Sequence, residues 1–232
     1  MSAPLDLVEP LVARWQLEPP AAGRLAVLLE LLEDPATPTT VHRPAEAADA
    51  HLADSLVALE LDAVRSARAT ADLGSGVGFP GLALAVALPG ARVALVESAE
   101  RRCAFLRRAV RAAGLDNAEV VHARAEEWPA GVDAHDLVTA RALATLPVVL
   151  EYAAPLLELG GAVVAWKGRR DPREERAGIR AATEVGLEPI EVRRVRPYPA
   201  ARDRHLHVFG KAATTPTRFP RRPGMARKRP LG

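Results

Sequence analysis

Three glycines at alternate positions, Gly74, Gly76 and Gly78, follow the apolar run 69–73 and precede Pro80-Gly81. This order predicts a short buried strand, a tight turn and a helix start. Without Cβ atoms the turn backbone can take positive φ and let a ligand come close. Pro80 suits a first helical turn, and the helix start offers N–H groups and a positive dipole end to an anionic group. Asp72 closes the strand. About twenty residues further on, a second strand, 92–97, ends in Glu97, where doubly wound nucleotide-binding folds place the acid that holds ribose hydroxyls. Further chemistry-bearing residues follow later strands: Arg124-Ala125-Glu126-Glu127 after the third, Arg141 after the fourth and Lys167 after the fifth. In such sheets ligands bind outside the carboxyl ends of the strands, so these cations and acids should share one crevice. There an acid's backbone or side chain can meet an adenine edge, and Arg124, Arg141 and Lys167 can hold phosphates.

Two ligands fit the glycine turn. Gly76, Gly78 and Gly81 satisfy the dinucleotide pattern G-x-G-x-x-G. The register Asp72-x-Gly74-x-Gly76-x-Gly78 instead resembles motif I of S-adenosylmethionine methyltransferases. The elements around the turn bear on the choice. Strands are expected at 70–74, 92–97, 118–123, 136–140, 162–167, 188–195 and 206–211, with helices at 80–88, 99–113, 146–157 and 172–185. This alternation predicts a mostly parallel sheet covered on both faces. The last two strands have no room for a helix between them and should pair antiparallel. That ending suits a methyltransferase sheet. A dehydrogenase sheet would continue with another crossover, and the chain has no room for a separate substrate domain.

Residues 1–66 read as helical. Leu25, Leu28, Leu29 and Leu32 recur at helical spacing up to Asp34-Pro35. A Pro/Thr-rich connection over 36–44 leads into a helix over about 46–60 that carries His51, Asp54 and Ser55. The expected organisation is therefore a helical cap (1–66), an α/β domain (67–212) and a basic tail (213–232). In helix 99–113, Cys103, Leu106, Val110 and Ala113 repeat at helical spacing, so Cys103 is expected in the core. A single cysteine excludes an internal disulfide and a cysteine zinc site, and no metal centre is expected.

The 232 residues are 49% apolar, enough for a full core, but no apolar run approaches the roughly 20 residues of a membrane span. No signal segment is evident, and a cytoplasmic protein without a membrane partner is expected. The net charge of +2 hides an asymmetry: residues 201–232 hold nine Lys/Arg and one acid, Asp203. A segregated basic segment is the usual footprint of a polyanion, which makes Arg221, Arg222, Lys228 and Arg229 candidate contacts to one; a solvated tail serving solubility is the other reading.

From about Thr39 to Lys211 the chain resembles the bacterial RsmG (GidB) family. The resemblance rests on His51-Leu52-Ala53-Asp54-Ser55-Leu56, Asp72–Gly81, Arg102-x-x-Phe105-Leu106, Arg124-Ala125-Glu126-Glu127, Arg141-Ala142, Lys167-Gly168, Arg204-His205-Leu206 and the tail from Arg218 to Leu231. One departure is Thr37-Pro38-Thr39, where the family often has Asn-Leu-Thr. The resemblance implies an α/β class I S-adenosylmethionine-dependent methyltransferase: Rossmann-like, with a seven-stranded mostly parallel sheet, an N-terminal helical cap and a basic C-terminal tail. It implies methyl transfer to N7 of a guanine in small-subunit (16S) ribosomal RNA, with the RNA or the subunit as partner; a monomer is expected. It also implies a cofactor site lined by Gly74, Phe79, Ala125, Glu126 and Arg141, which Gly76 and Glu97 join from the turn itself. Guanine N7 has a lone pair and no proton, so no catalytic base is expected. A methyltransferase acting on another RNA or a small molecule, and a non-enzymatic RNA-binding protein, are the competing readings.

Overall fold

The computed structural model describes residues 3–232. Helices α1 (Pro4–Trp15) and α2 (Pro20–Glu33) form an antiparallel pair that lays Val8, Leu25, Leu28, Leu29 and Leu32 into one apolar cluster. The helix expected over 46–60 is broken into turns of different pitch: α3 (Pro44–Ala47), a π-helical stretch (Ala48–Ala53), α4 (Asp54–Leu56) and a 3-10 turn (Val57–Glu60). The short α5 (Asp62–Arg65) ends the cap.

The strands are β1 (Ala69–Leu73), β2 (Arg92–Glu97), β3 (Ala118–His122), β4 (His135–Arg141), β5 (Leu157–Lys167), β6 (Leu187–Val195) and β7 (Arg204–Lys211). They form one sheet in the order β3-β2-β1-β4-β5-β7-β6. All neighbours are parallel except β7, which runs antiparallel to both β5 and β6. The antiparallel pair is thus as expected, and the reversed strand lies inside the sheet, leaving β6 at the edge. Helices α6 (Gly81–Ala87) and α7 (Glu100–Ala112) share the cap's face of the sheet; α8 (Leu146–Ala153) and α9 (Pro172–Val185) cover the other.

The largest boundary differences meet at Pro155. Helix α8 stops at Ala153 because Pro155 cannot donate to the helical ladder, and β5 starts at Leu157, five residues early. Helix α9 keeps its expected span: the Asp171 carboxylate accepts from Arg173 N at 2.8 Å and Gly186 closes the end at φ 82°. On α7, Cys103 and Leu106 are buried as expected, and Cys103 donates to the Glu97 carbonyl at 3.2 Å.

The 213–232 segment, read as a basic tail, packs on the α/β domain. Phe219 and Ala226 are buried in the cluster beneath α8, where Leu231 also packs. Arg221 forms a two-point ion pair with Glu151, at 2.7 and 2.5 Å, and Glu151 is only 1% exposed. The segment then turns through Gly224 into α10 (Met225–Lys228), against the carboxyl ends of the strands.

Candidate functional site

The glycine turn has the strained geometry its composition permits. Gly74, Gly76 and Gly78 sit at φ 65°, 60° and 97°. Two buried acids hold it. The Asp72 carboxylate accepts from Gly81 N at 3.2 Å and from Thr139 Oγ1 at 2.9 Å, tying the turn to α6 and to β4. Burial pushes the Asp72 carboxyl above the usual range, against the hydrogen bonds from Thr139, Ser75 and Gly81. The Glu97 carboxylate accepts from Gly76 N at 3.0 Å and from Ala99 N at 2.8 Å. Glu97 is 4% exposed, and these two bonds brace the turn. The helix start is engaged as well: Asp72 takes the Gly81 N–H expected to face an anion.

Two clefts open at the carboxyl ends of the strands. The first, about 390 Å³, is lined by Gly74, Val96 and Ser98 from the β1 and β2 ends, Ala123–Glu126 after β3, Leu143 after β4, Tyr152 of α8 and Arg227. The Ala125–Glu127 3-10 turn begins here, and its leading N–H groups have no partner within the turn. The second, about 460 Å³, lies between the cap and the ends of β4 and β5. Its walls include Ala50, His51, Asp54, Arg141, Trp166, Lys167 and Arg204. The strip 142–144 separates the two: Leu143 faces the first, Ala142 and Ala144 the second. Ala142 sits at φ 55°, a conformation costing an alanine roughly 1–2 kcal/mol.

Sheet register explains why the second cleft is so rich in cations. Arg141 pairs with Trp166, Lys167 with His205, and Val195 with Arg204, so the reversed β7 begins where β4 and β5 end. Asp54 is the hub. Its carboxylate meets Arg141 at 2.9 Å and Arg204 at 3.3 Å, and its carbonyl accepts from Trp166 Nε1 at 2.7 Å. The irregular helix supplies further acceptors: Arg141 donates to the Ala50 carbonyl at 2.9 Å and Ser55 to the His51 carbonyl at 2.5 Å. π-Helical turns recur at functional sites, and here the stretch lends its backbone to the strand-end arginine.

Arg141 also reaches His51 Nδ1 at 3.2 Å. A guanidinium only donates, so Nδ1 accepts and Nε2, 3.5 Å from Thr39 Oγ1, carries the proton. The imidazole stacks on Phe79 at 5.0 Å with 9° between the rings. Burial, then the Arg141 charge, lowers the His51 pKa to about 4, so the ring is neutral at pH 7.

The expected single crevice is therefore two. Gly74, Arg124, Ala125 and Glu126 line the first cleft, and Arg141 and Lys167 line the second. Gly76, within the turn, and Phe79 and Glu97, packed around it, line neither. The three strand-end cations are paired: Arg124 with Glu127 at 3.7 Å, Arg141 with Asp54 and Lys167 with Glu174 at 2.6 Å. Of the tail cations, Arg221 is spent on Glu151, whereas Arg222, Lys228 and Arg229 are exposed. Sequence reasoning gave no role to Arg227, Tyr152 or Leu143, whose signal lies only in tertiary placement. Asp54 and Arg204 stood in recognised motifs without an assigned partner. Glu100, Cys103 and His122 bring ligand-type atoms within 4.8 Å of one another, but both ring nitrogens of His122 are engaged, at 3.0 Å with Glu100 and 3.1 Å with the Ser98 carbonyl.

The sheet order, the reversed β7, the glycine turn and the clefts at the strand ends define a class I S-adenosylmethionine-dependent methyltransferase. The fold of Aeropyrum pernix fibrillarin, solved with natively bound S-adenosyl-L-methionine, matches it with a TM-score of 0.53 at 20% identity, covering 68% of this chain and 72% of that one. A family model described as rRNA small subunit methyltransferase G matches residues 24–206. The ribosomal RNA small subunit methyltransferase G of Rubrobacter xylanophilus is 41% identical over 187 residues, covering 78% of this chain and 72% of that protein. That of Desulfitobacterium hafniense is 38% identical over 196 residues, covering 83% and 81%. The chain belongs to the rRNA small subunit methyltransferase G family.

Proposed function

We propose that this protein transfers a methyl group from S-adenosylmethionine to N7 of a guanine in 16S ribosomal RNA, with the cofactor in the first cleft and the guanine in the second. The observation that carries the assignment of clefts is the strip 142–144, whose alternate residues wall both clefts at the end of β4, so that ligands in the two are neighbours across it. The first cleft fits the cofactor: its volume is that of a small-molecule site, Gly74 lets a ligand approach the backbone, and Ala125 and Glu126 present main-chain N–H groups to a purine edge. Cap, α/β domain and 213–232 segment are read as parts of one catalytic unit, acting as a monomer in the cytoplasm. Among the described residues no helix is long and apolar enough to cross a membrane.

Bound cofactor supplies a methyl already activated by its sulfonium charge. The chain's residues must align and shield. Alignment of acceptor and donor can supply several kcal/mol of the barrier. Gly74 and Leu143 set the depth of the first cleft, while Asp54 locks Arg141 against the cap so that the wall of the second cleft is rigid. Lys167 and Arg204 stand where the O6 edge or flanking phosphates of a guanine would lie. No group need remove a proton from N7, and the neutral His51, its Nδ1 occupied by Arg141, is a wall of the cleft. N7 lies in the deep, narrow groove of an RNA helix, so the target guanine is in an unpaired loop. Exposed Arg222, Lys228 and Arg229 then offer phosphate contacts at the rim.

The test is incubation of small-subunit RNA and small-subunit particles with methyl-labelled S-adenosylmethionine, followed by nucleoside analysis. Label in 7-methylguanosine is expected. Label in another nucleoside, or none in either RNA or particles, would overturn the assignment.

A further inference from the structure

We propose that the C-terminal segment completes the cofactor cleft, with Arg227 as a binding residue for the nucleoside end of the ligand. This rests on the reading of the first cleft as the S-adenosylmethionine site. Three contacts hold the segment there, and a fourth closes it on itself. The Arg221–Glu151 pair anchors it on α8, and Arg221 also donates to the Arg229 carbonyl at 2.8 Å, closing the segment on itself. Gly224 N donates to Glu126 Oε1 at 2.9 Å, so a cleft-lining acid is fixed by the tail. Arg227 donates to the Leu143 carbonyl at 2.9 Å, gripping the strip between the clefts.

Arg227 and Tyr152 line the same cleft, and burial, then Glu126, push the phenol above its usual range. The guanidinium is thus held by the Leu143 carbonyl while lining the cleft. A planar, weakly hydrated cation so held can lie over the face of a purine or donate to a nucleoside oxygen. Lysine offers neither the plane nor the fork. Arg221, by contrast, is a positioning residue that acts through the anchor. Arg227 is exposed, as Arg222, Lys228 and Arg229 are; its place in the cleft wall is what assigns it to the cofactor, with RNA contact left to the other three.

The experiment is calorimetric titration of the full chain with S-adenosylmethionine, in wild type, Arg227→Ala, Arg227→Lys, Arg221→Ala and the double variant Arg221→Ala/Arg227→Ala, with melting temperatures taken without ligand. Arg227→Ala should weaken binding by about tenfold with the melting temperature nearly unchanged, and Arg227→Lys should recover little of the loss. Arg221→Ala should lower the melting temperature and weaken binding, and the double variant should bind no worse than the weaker single variant, since both losses pass through one guanidinium. Wild-type affinity in Arg227→Ala would overturn the proposal, as would full recovery by lysine or additive losses in the double variant. If Arg227→Ala keeps its affinity for cofactor and loses affinity for small-subunit RNA, Arg227 belongs to the RNA surface and the proposal fails. Absence of S-adenosylmethionine binding by the wild-type protein would be a different result, overturning the reading of the cleft itself.

Discussion

Arg141 and Asp54 stand 87 residues apart in sequence and meet at 2.9 Å between Nη1 and Oδ2. The contact joins the cap to the end of β4, and neither partner is well solvated: their side chains are 15% and 9% exposed. The same guanidinium takes the Ala50 carbonyl and His51 Nδ1, so three cap groups depend on one strand-end side chain.

Replacing this fork with a point charge should cost both rate and stability. Lysine cannot reach all three acceptors, so Arg141→Lys is expected to lose at least about tenfold in methyl transfer, about 1.4 kcal/mol of transition-state stabilisation. Arg141→Ala should lose more and leave Asp54 with Arg204 as its one remaining cation. Single-turnover transfer to small-subunit particles, with thermal melts alongside, measures both effects. Wild-type rates in both variants would remove Arg141 from the site.

The neutral His51 gives the cap a pH dependence. Its folded pKa of about 4 lies below the unfolded value of about 6.5, so the unfolded chain binds the proton more readily between those values. Stability from this group is therefore complete above about pH 6.5 and is lost as pH falls toward 4, by an amount on the order of 2–3 kcal/mol. His135 and His207, also lowered by burial, act in the same direction. Melts between pH 7 and 5 should show a smaller drop for His51→Gln than for wild type, and equal drops would refute the assignment.

Gly74→Val should abolish cofactor binding by a route visible in the geometry. At φ 65° a β-branched residue is strained, and its Cβ would lie 2.6 Å from Leu143 Cδ1, driving that side chain about the cleft it lines. A folded variant with unchanged affinity by calorimetry would place the ligand elsewhere.

Breaking the Arg221–Glu151 pair tests how much the C-terminal segment contributes to the fold. Arg221→Met leaves a buried carboxylate unpaired, at an expected cost of about 3 kcal/mol, whereas Arg221→Met/Glu151→Leu should recover much of it. For a chain of this size each kcal/mol corresponds to roughly 2–4 °C of melting temperature. A variant that melts with the wild type would mean that Phe219 and Ala226 suffice to hold the segment.

The RNA interface predicts a salt signature. Changing Arg222, Lys228 and Arg229 together to glutamine should flatten the slope of log affinity against log salt by about 0.7 per lost phosphate contact, with cofactor affinity unchanged. Anisotropy titrations with a labelled 16S fragment at several salt concentrations measure this. An identical slope would leave those side chains a solubility role.

What could be read from the chain depended on whether the signal was local. The strand–turn–helix at Asp72–Gly81 and the capped α9 were legible because a few adjacent residues dictate backbone conformation. The reversed β7 was legible because too few residues separate it from β6 for a crossover. Asp54 as a hub was not: its three partners come from β4, β5 and β7, and nothing in their spacing links them. Pitch changes over 44–60 were hidden for a related reason, since the acceptors they offer serve Arg141, far away in sequence. The packing of the tail was hidden because its charge pointed to a polyanion, whereas Phe219, Ala226 and Leu231, spaced between its arginines, carry it onto the core.

The position of β7 has a consequence for synthesis. Translation delivers β6 before β7, yet β6 reaches the rest of the sheet only through β7. Until about residue 211 has left the ribosomal tunnel, β5 carries an open edge and β6 has no strand to pair with. The nascent chain can assemble cap, glycine turn and β1–β5 early, since domains form from the N-terminal side as they emerge. The sheet closes only when its penultimate strand slides between two waiting edges. Exposed edges recruit other chains, so this interval is when a slow ribosome or a stalled message would most expose the newborn protein to aggregation.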